Sequence, residues 1–168
     1  MNGVSGYLVG ALLIGAGATL VMDLWGIART RLLHIPSMSY GLVGRWIAWL
    51  PRGRFRHSPI AASPPVRGEL LIGWTAHYAI GVAFAAALLA IFGLDWACNP
   101  TLGPALLVGI VTVAMPFLVM QPGMGAGIAA SRTPKPAAAR LNSLLTHSIF
   151  GLGLYLAAVA TSPLLCSA

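Results

Sequence analysis

Charged residues are scarce in this sequence: 8% of its 168 residues are Asp, Glu, Lys or Arg, and only three are acidic. A soluble globular domain carries about 25% charged residues, because ionised side chains are needed to cover a surface that faces water. Hydrophobic residues make up 58% of the chain, and the mean hydropathy is +0.84. This composition excludes an ordinary water-soluble globule, and it also excludes disorder, which requires low hydrophobicity.

The few charges are unevenly placed. All ten basic residues lie within 29–67 and 132–140, and the rest of the chain contains no Lys or Arg. In a soluble protein a net charge of +7 would suggest nucleic acid as a partner. Because the charge here is confined between long apolar segments, we interpret it as a signal of membrane topology and expect no nucleic acid.

Four segments are long enough to cross a bilayer, which requires roughly 20 mostly apolar residues. They are residues 7–28, 70–94, 102–121 and 141–165. We predict an all-α, polytopic membrane protein of four transmembrane helices that forms a single membrane domain over residues 1–168. Pro104, Pro116 and Pro122 further predict that the third helix is kinked or broken.

The basic residues predict the orientation of the helices. The connections after the first and third helices hold every Lys and Arg, so the positive-inside rule makes them cytoplasmic. Both termini and the 95–101 connection would then lie on the outer side of the plasma membrane, which is the periplasmic side of the inner membrane if the source is a Gram-negative bacterium. Cys98 and Cys166 fall on this oxidising side, and the sequence is equally compatible with a disulfide and with two separate thiols.

The long cytoplasmic loop, residues 29–69, contains an apolar, tryptophan-bearing segment at 40–50 followed by a basic run. Aromatic residues beside basic ones suit the lipid headgroup layer, so we predict an amphipathic interfacial segment that contacts anionic lipid headgroups. The predicted contacts are Trp46, Trp49, Arg52, Arg54 and Arg56. The alternative is a plain anchoring loop, since any cytoplasmic loop is expected to be basic.

The two halves of the chain contain short sequence matches in the same order. The matched pairs are 11–15 with 105–109, 21–23 with 119–121, 60–63 with 128–131, and 77–81 with 147–151. Their shared order predicts a tandem duplication of a two-helix unit, with the segment around 40–50 inserted in the first copy. Because each copy has two spans, both copies would enter the membrane in the same sense.

Three ionisable residues lie inside the predicted spans, namely Asp23, His77 and His147, and Gln121 is the counterpart of Asp23 in the second copy. Such a residue costs a few kcal/mol in lipid unless it is paired or hydrated, so each one marks a candidate functional site. Small residues four positions away place Asp23, His77 and His147 on helix-packing faces. We therefore predict that they point into the bundle and toward one another.

Several functions fit this candidate site. The leading hypothesis is a small transporter or permease-like component that handles a proton, cation or small polar substrate. One alternative is a structural or assembly subunit of a larger membrane complex. Another is a protein that binds a metal through Asp23, His77 and His147, or a haem between His77 and His147. The polar residues could also serve only to join the helices by hydrogen bonds. No cofactor is predicted outright. Four spans are few for a complete path, so a homo-oligomer or a larger membrane complex is expected. No catalytic motif or catalytic residue is found, and we do not expect an enzyme.

Longer stretches of the chain carry a resemblance to a known family. These stretches are residues 15–25, 43–46, 51–57, 73–81, 120–123, 129–134 and 146–151. Over nearly its whole length the chain is similar to a bacterial family of small integral membrane proteins known only as a domain of unknown function. The resemblance implies an inner-membrane protein of four spans and supplies no activity, ligand or catalytic residue.

Overall fold

The computed structural model describes residues 3–35 and 37–166, and within these residues it contains helices and no strand. The α-helices are α1 (Gly3–Leu33), α2 (Tyr40–Trp49), α3 (Glu69–Phe92), α4 (Leu94–Cys98), α5 (Leu102–Val111), α6 (Gln121–Met124) and α7 (Pro136–Cys166). Four stretches are long and apolar enough to cross a membrane: α1, α3, α7 and the interrupted stretch Leu102–Met124. The predicted all-α fold with four membrane-spanning segments is confirmed.

The observed helix ends differ from the predicted ones for identifiable reasons. α1 extends beyond both ends of its predicted segment, because neither added flank contains a proline that would end the helix. α3 ends before the predicted limit of 70–94, because Gly93 has a φ of +81°, which glycine adopts readily and other residues do not. α7 begins at Pro136, ahead of the predicted 141–165, since proline suits the first turn of a helix.

The third spanning stretch is broken where its prolines predict. α5 ends at Val111, a turn follows, and residues Pro116–Met120 form one π-helical turn before α6. Pro116 has no backbone N–H and cannot donate to the carbonyl one helical turn before it, so the regular hydrogen-bond ladder is interrupted there. The wider turn is closed by the N–H of Gln121, which donates to the carbonyl of Pro116.

The chain divides into two compact units. The first unit comprises Met1–Pro36, Tyr78–Thr112 and Leu145–Ala168, and the second comprises Ser37–His77 and Val113–Leu144. In the first unit the largest fully buried side chains are Ile14, Leu88, Leu89, Leu154 and Thr19.

Two close helix contacts of the first unit involve residues that the sequence matches pair with each other. A Cβ on Gly15 would lie 2.8 Å from the carbonyl oxygen of Gly81, and a Cβ on Gly109 would lie 2.6 Å from the backbone nitrogen of Gly151. Gly15 corresponds to Gly109, and Gly81 corresponds to Gly151. The same glycine-to-glycine approach therefore occurs once in each half, which supports the predicted duplication.

The second unit is built around α2, which packs on the first turns of α3. Gly44 approaches Gly73 so closely that a Cβ on Gly44 would lie 2.6 Å from the Gly73 nitrogen. Arg45 donates to both carboxylate oxygens of Glu69, each at 2.8 Å. This hydrogen bonding raises the pKa of the Arg45 guanidinium above its ordinary value, so Arg45 stays charged.

Two other matched segments lie within the second unit, but their backbones differ. Ile60–Ala62 and Ile128–Ala130 each contain a short 3₁₀ turn that is followed by a serine. In the second turn, however, Ala129 and Ala130 have φ of +46° and +58°, in the left-handed region, whereas no residue of the first turn has a positive φ. The structural correspondence between the halves is therefore carried by the paired glycine contacts and not by these turns.

Candidate functional site

Asp23 is the acidic residue inside α1, and the structure gives it a hydroxyl partner from α3. The Tyr78 hydroxyl donates a hydrogen bond to Asp23 Oδ2 at 3.0 Å, and both side chains are partly buried in the first unit. A charge-assisted bond of this kind is stronger than a neutral one and holds the carboxylate in a defined position. Because a tyrosine hydroxyl can both donate and accept, the pair is chemically able to pass a proton.

His147 lies in α7 and also bonds to a hydroxyl. Its Nδ1 lies 3.0 Å from Thr112 Oγ1, and the same hydroxyl lies 2.6 Å from the carbonyl oxygen of Gly109. A carbonyl can only accept, so Thr112 donates its single proton to Gly109 and accepts from His147 Nδ1. In the neutral imidazole, Nδ1 then carries the proton and Nε2 is left with the lone pair.

His77 lies in the second unit, where it forms an aromatic cluster with Tyr40 and Trp74. The Tyr40 hydroxyl and His77 Nε2 share a hydrogen bond of 2.9 Å. The Tyr40 ring lies 4.3 Å from the Trp74 ring and 4.4 Å from the imidazole, measured between centroids. These contacts fix the imidazole against the start of α2 and give it, too, a hydroxyl partner.

Gln121 begins α6 in the second unit. Its side-chain oxygen Oε1 is buried, and within the part of the chain that the structure describes it has no hydrogen-bond partner. A buried carbonyl oxygen without a donor costs free energy, so Gln121 offers an unused acceptor inside the spanning stretch.

The four predicted site residues are thus divided between the units. Asp23 and His147 belong to the first unit, and His77 and Gln121 belong to the second. Within the first unit, His147 is hydrogen-bonded to Thr112, and Asp23 accepts a hydrogen bond from Tyr78.

Across residues 3–35 and 37–166, no three His, Cys, Asp or Glu side chains form a group that could hold a metal ion. The geometry therefore gives no support to a three-ligand metal site.

Sequence analysis did not identify the three hydroxyl partners. Tyr78 directly follows His77 in the chain, and Thr112 comes three residues after the matched Gly109, so both lay close to residues already singled out. Tyr40 had no such signal, because its contact with His77 depends on how the loop returns α2 to α3. Each partner is defined by helix packing, which sequence spacing describes only in part.

The predicted headgroup residues have two different environments. Trp46 is only 8% exposed; its indole N–H donates to the Phe55 carbonyl at 2.8 Å, and its ring packs against Gly123. The indole of Trp46 therefore packs against the chain itself, and its predicted contact with lipid headgroups stays a prediction. Arg52, Arg54 and Arg56 are exposed, and Trp49 lies beside the first two.

The cysteines are joined. Cys98, at the end of α4, and Cys166, at the end of α7, form a disulfide with a Cα–Cα distance of 5.7 Å. The sequence was equally compatible with a disulfide and with two separate thiols, and the structure contains the disulfide. It closes a loop of 68 residues within the chain and ties the end of the last helix to the short connection after α3.

The fold and the site define a small helical protein with four segments long and apolar enough to cross a membrane, and with ionisable side chains inside them. The chain belongs to the family described as "protein of unknown function (DUF2938)", whose profile matches residues 12–161. This match confirms the resemblance to a family known only as a domain of unknown function. No curated protein and no solved structure matches the chain.

Proposed function

We propose that this protein is a small permease-like component of the inner membrane that handles a proton, cation or small polar substrate at its intramembrane polar residues. A proton is the species that the local contacts favour most. The supporting observation is that Asp23, His77 and His147 are each hydrogen-bonded to a hydroxyl group, from Tyr78, Tyr40 and Thr112 respectively. Hydroxyl groups both donate and accept, which is the property that a proton relay requires.

The broken third span is consistent with this proposal. Interrupted helices in transporters expose backbone and side-chain polar groups near the middle of the membrane. Here the interruption lies directly before Gln121, whose Oε1 is a buried acceptor without a donor among the described residues. Since four spans enclose little space, we propose that the working form is a homo-oligomer or part of a larger membrane complex, with both termini on the periplasmic side.

The proposal is tested by proton flux in proteoliposomes. Purified protein is reconstituted with a pH-sensitive dye inside the vesicles, and a potassium diffusion potential is imposed with valinomycin. We expect wild-type vesicles to acidify faster than protein-free vesicles. Asp23→Asn should abolish the difference, because asparagine can still accept from Tyr78 but cannot bind and release a proton.

Asp95→Asn is the matched control, since Asp95 is an exposed carboxylate in α4, outside the four spanning segments. Tyr78→Phe should slow the flux in the wild-type background and have no further effect in the Asp23→Asn background, because the two side chains act as one unit. Wild-type vesicles no faster than protein-free ones, or Asp23→Asn equal to wild type, would refute the proposal.

A further inference from the structure

The basic segment after α2 brings two arginines onto one tryptophan ring. The guanidinium carbon of Arg52 lies 5.0 Å from the centroid of the Trp49 ring, and that of Arg54 lies 5.7 Å from it. Both arginines are exposed, whereas the Trp49 Nε1 atom is buried and has no hydrogen-bond partner among the described residues. Two cations and an unused N–H donor therefore meet at one place on the second unit.

The backbone around Trp49 holds this arrangement in place. Gly53 has a φ of +72°, its N–H donates to Leu50 O at 2.9 Å, and the N–H of Arg54 donates to Trp49 O at 3.3 Å. This pair of hydrogen bonds is the Schellman ending of a helix, which reverses the chain and so places Arg52 and Arg54 on the same side as Trp49. The chain that follows is fixed by the bond from His57 N to Gly123 O, at 2.9 Å.

No carboxylate of the second unit is free to neutralise these arginines. Glu69 is the only acidic residue within Ser37–His77 and Val113–Leu144, and both of its oxygens already accept from Arg45. Two guanidinium groups held beside one ring repel each other, and a bound anion would reduce this repulsion. Guanidinium forks and an indole N–H are together a donor set that matches the oxygens of a phosphate group.

We propose that Trp49, Arg52 and Arg54 form a binding site for a phosphate group that carries a negative charge, either in an anionic lipid headgroup or as free phosphate. The arginines provide charge-assisted hydrogen bonds to the phosphate oxygens. The indole ring supports the guanidinium groups through cation–π contact, and its N–H, which has no partner among the described residues, is the third donor of the site. This site is independent of the proton pathway proposed above, since it includes no residue of that pathway.

The test measures ligand retention by the full-length protein in neutral detergent. In one arm, the protein is mixed with micelles of equal phosphatidylglycerol and phosphatidylcholine, and the lipids that remain bound are counted by native mass spectrometry. In the other arm, inorganic phosphate is titrated into the lipid-free protein in a calorimeter. The variant is Arg52→Gln with Arg54→Gln, and the matched control is Arg132→Gln with Lys135→Gln, which removes the same charge from exposed positions of the second unit.

We expect wild type to retain phosphatidylglycerol in preference to phosphatidylcholine, or to bind phosphate, and the Arg52/Arg54 variant to lose this binding at least about tenfold. Loss in the first arm alone identifies a lipid headgroup as the source, and loss in the second identifies free phosphate. Trp49→Phe keeps an aromatic face and the net charge but removes the N–H and weakens the cation–π contact, so it should bind more weakly than wild type. Equal losses in the variant and the control, or no binding in either arm, would overturn the proposal.

Discussion

The glycine contact between α1 and α3 allows a sharp test of the packing in the first unit. A methyl group on Gly15 would lie 2.5 Å from Val82 Cα, 2.8 Å from Val82 N and 2.8 Å from Gly81 O. All three atoms belong to the backbone, so no side chain can change rotamer to make room. Gly15→Ala therefore requires α1 and α3 to separate locally, and we expect it to destabilise the protein.

The magnitude follows from two opposing effects. Alanine is a better helix former than glycine by about 0.5–1 kcal/mol, which favours the substitution. Overpacking a closely fitted contact costs about 1–3 kcal/mol, and an overlap with backbone belongs at the upper end of this range. We expect a net loss of about 1–2 kcal/mol in the free energy of unfolding.

Gly103→Ala is the control for this prediction, because a Cβ on Gly103 would have no atom within 4 Å. It keeps the helix-forming gain without the overlap, so its unfolding free energy should equal or exceed that of wild type. The assay is unfolding by SDS in neutral detergent micelles, followed by tryptophan fluorescence. If Gly15→Ala were as stable as Gly103→Ala, the close approach of α1 and α3 would be wrong.

Three further predictions concern the remaining contacts. Replacing Cys98 and Cys166 by serine should lower the midpoint of SDS unfolding in oxidising buffer to the midpoint of the reduced wild type. The chain entropy of cysteines separated by 68 residues limits the loss in unfolding free energy to about 4 kcal/mol. Trp46→Phe should cost about 1 kcal/mol of unfolding free energy, since it leaves the Phe55 carbonyl without its donor, and equal stability to wild type would contradict that bond. Arg45→Gln and Glu69→Gln should each lower the thermal midpoint, and the double variant should lower it by less than the sum; additive shifts would show that the two side chains do not act as a pair.

Sequence analysis predicted the features that depend on one helix at a time. The apolar segments predicted the four spanning stretches, and the prolines predicted the break in the third. The spacing of small residues predicted the helix-packing faces that contain Gly15 and Gly81. It did not predict that Trp46 is buried. Apolar residues cover much of the surface of α2, so the sequence does not indicate which face of this helix packs against the rest of the chain. It missed the Tyr40–His77 contact for a similar reason, since that contact depends on the path of the intervening loop.

The differences between the two halves of the chain point to Asp23 as the group that distinguishes the first copy. Asp23 follows Gly15 by eight residues, whereas its counterpart Gln121 follows Gly109 by twelve. The third span contains a turn and a π-helical segment between Gly109 and Gln121, which accommodate the four additional residues. The residue after each matched histidine also changes, from Tyr78 to Ser148. The second copy therefore lacks both the carboxylate and the tyrosine that donates to it in the first copy.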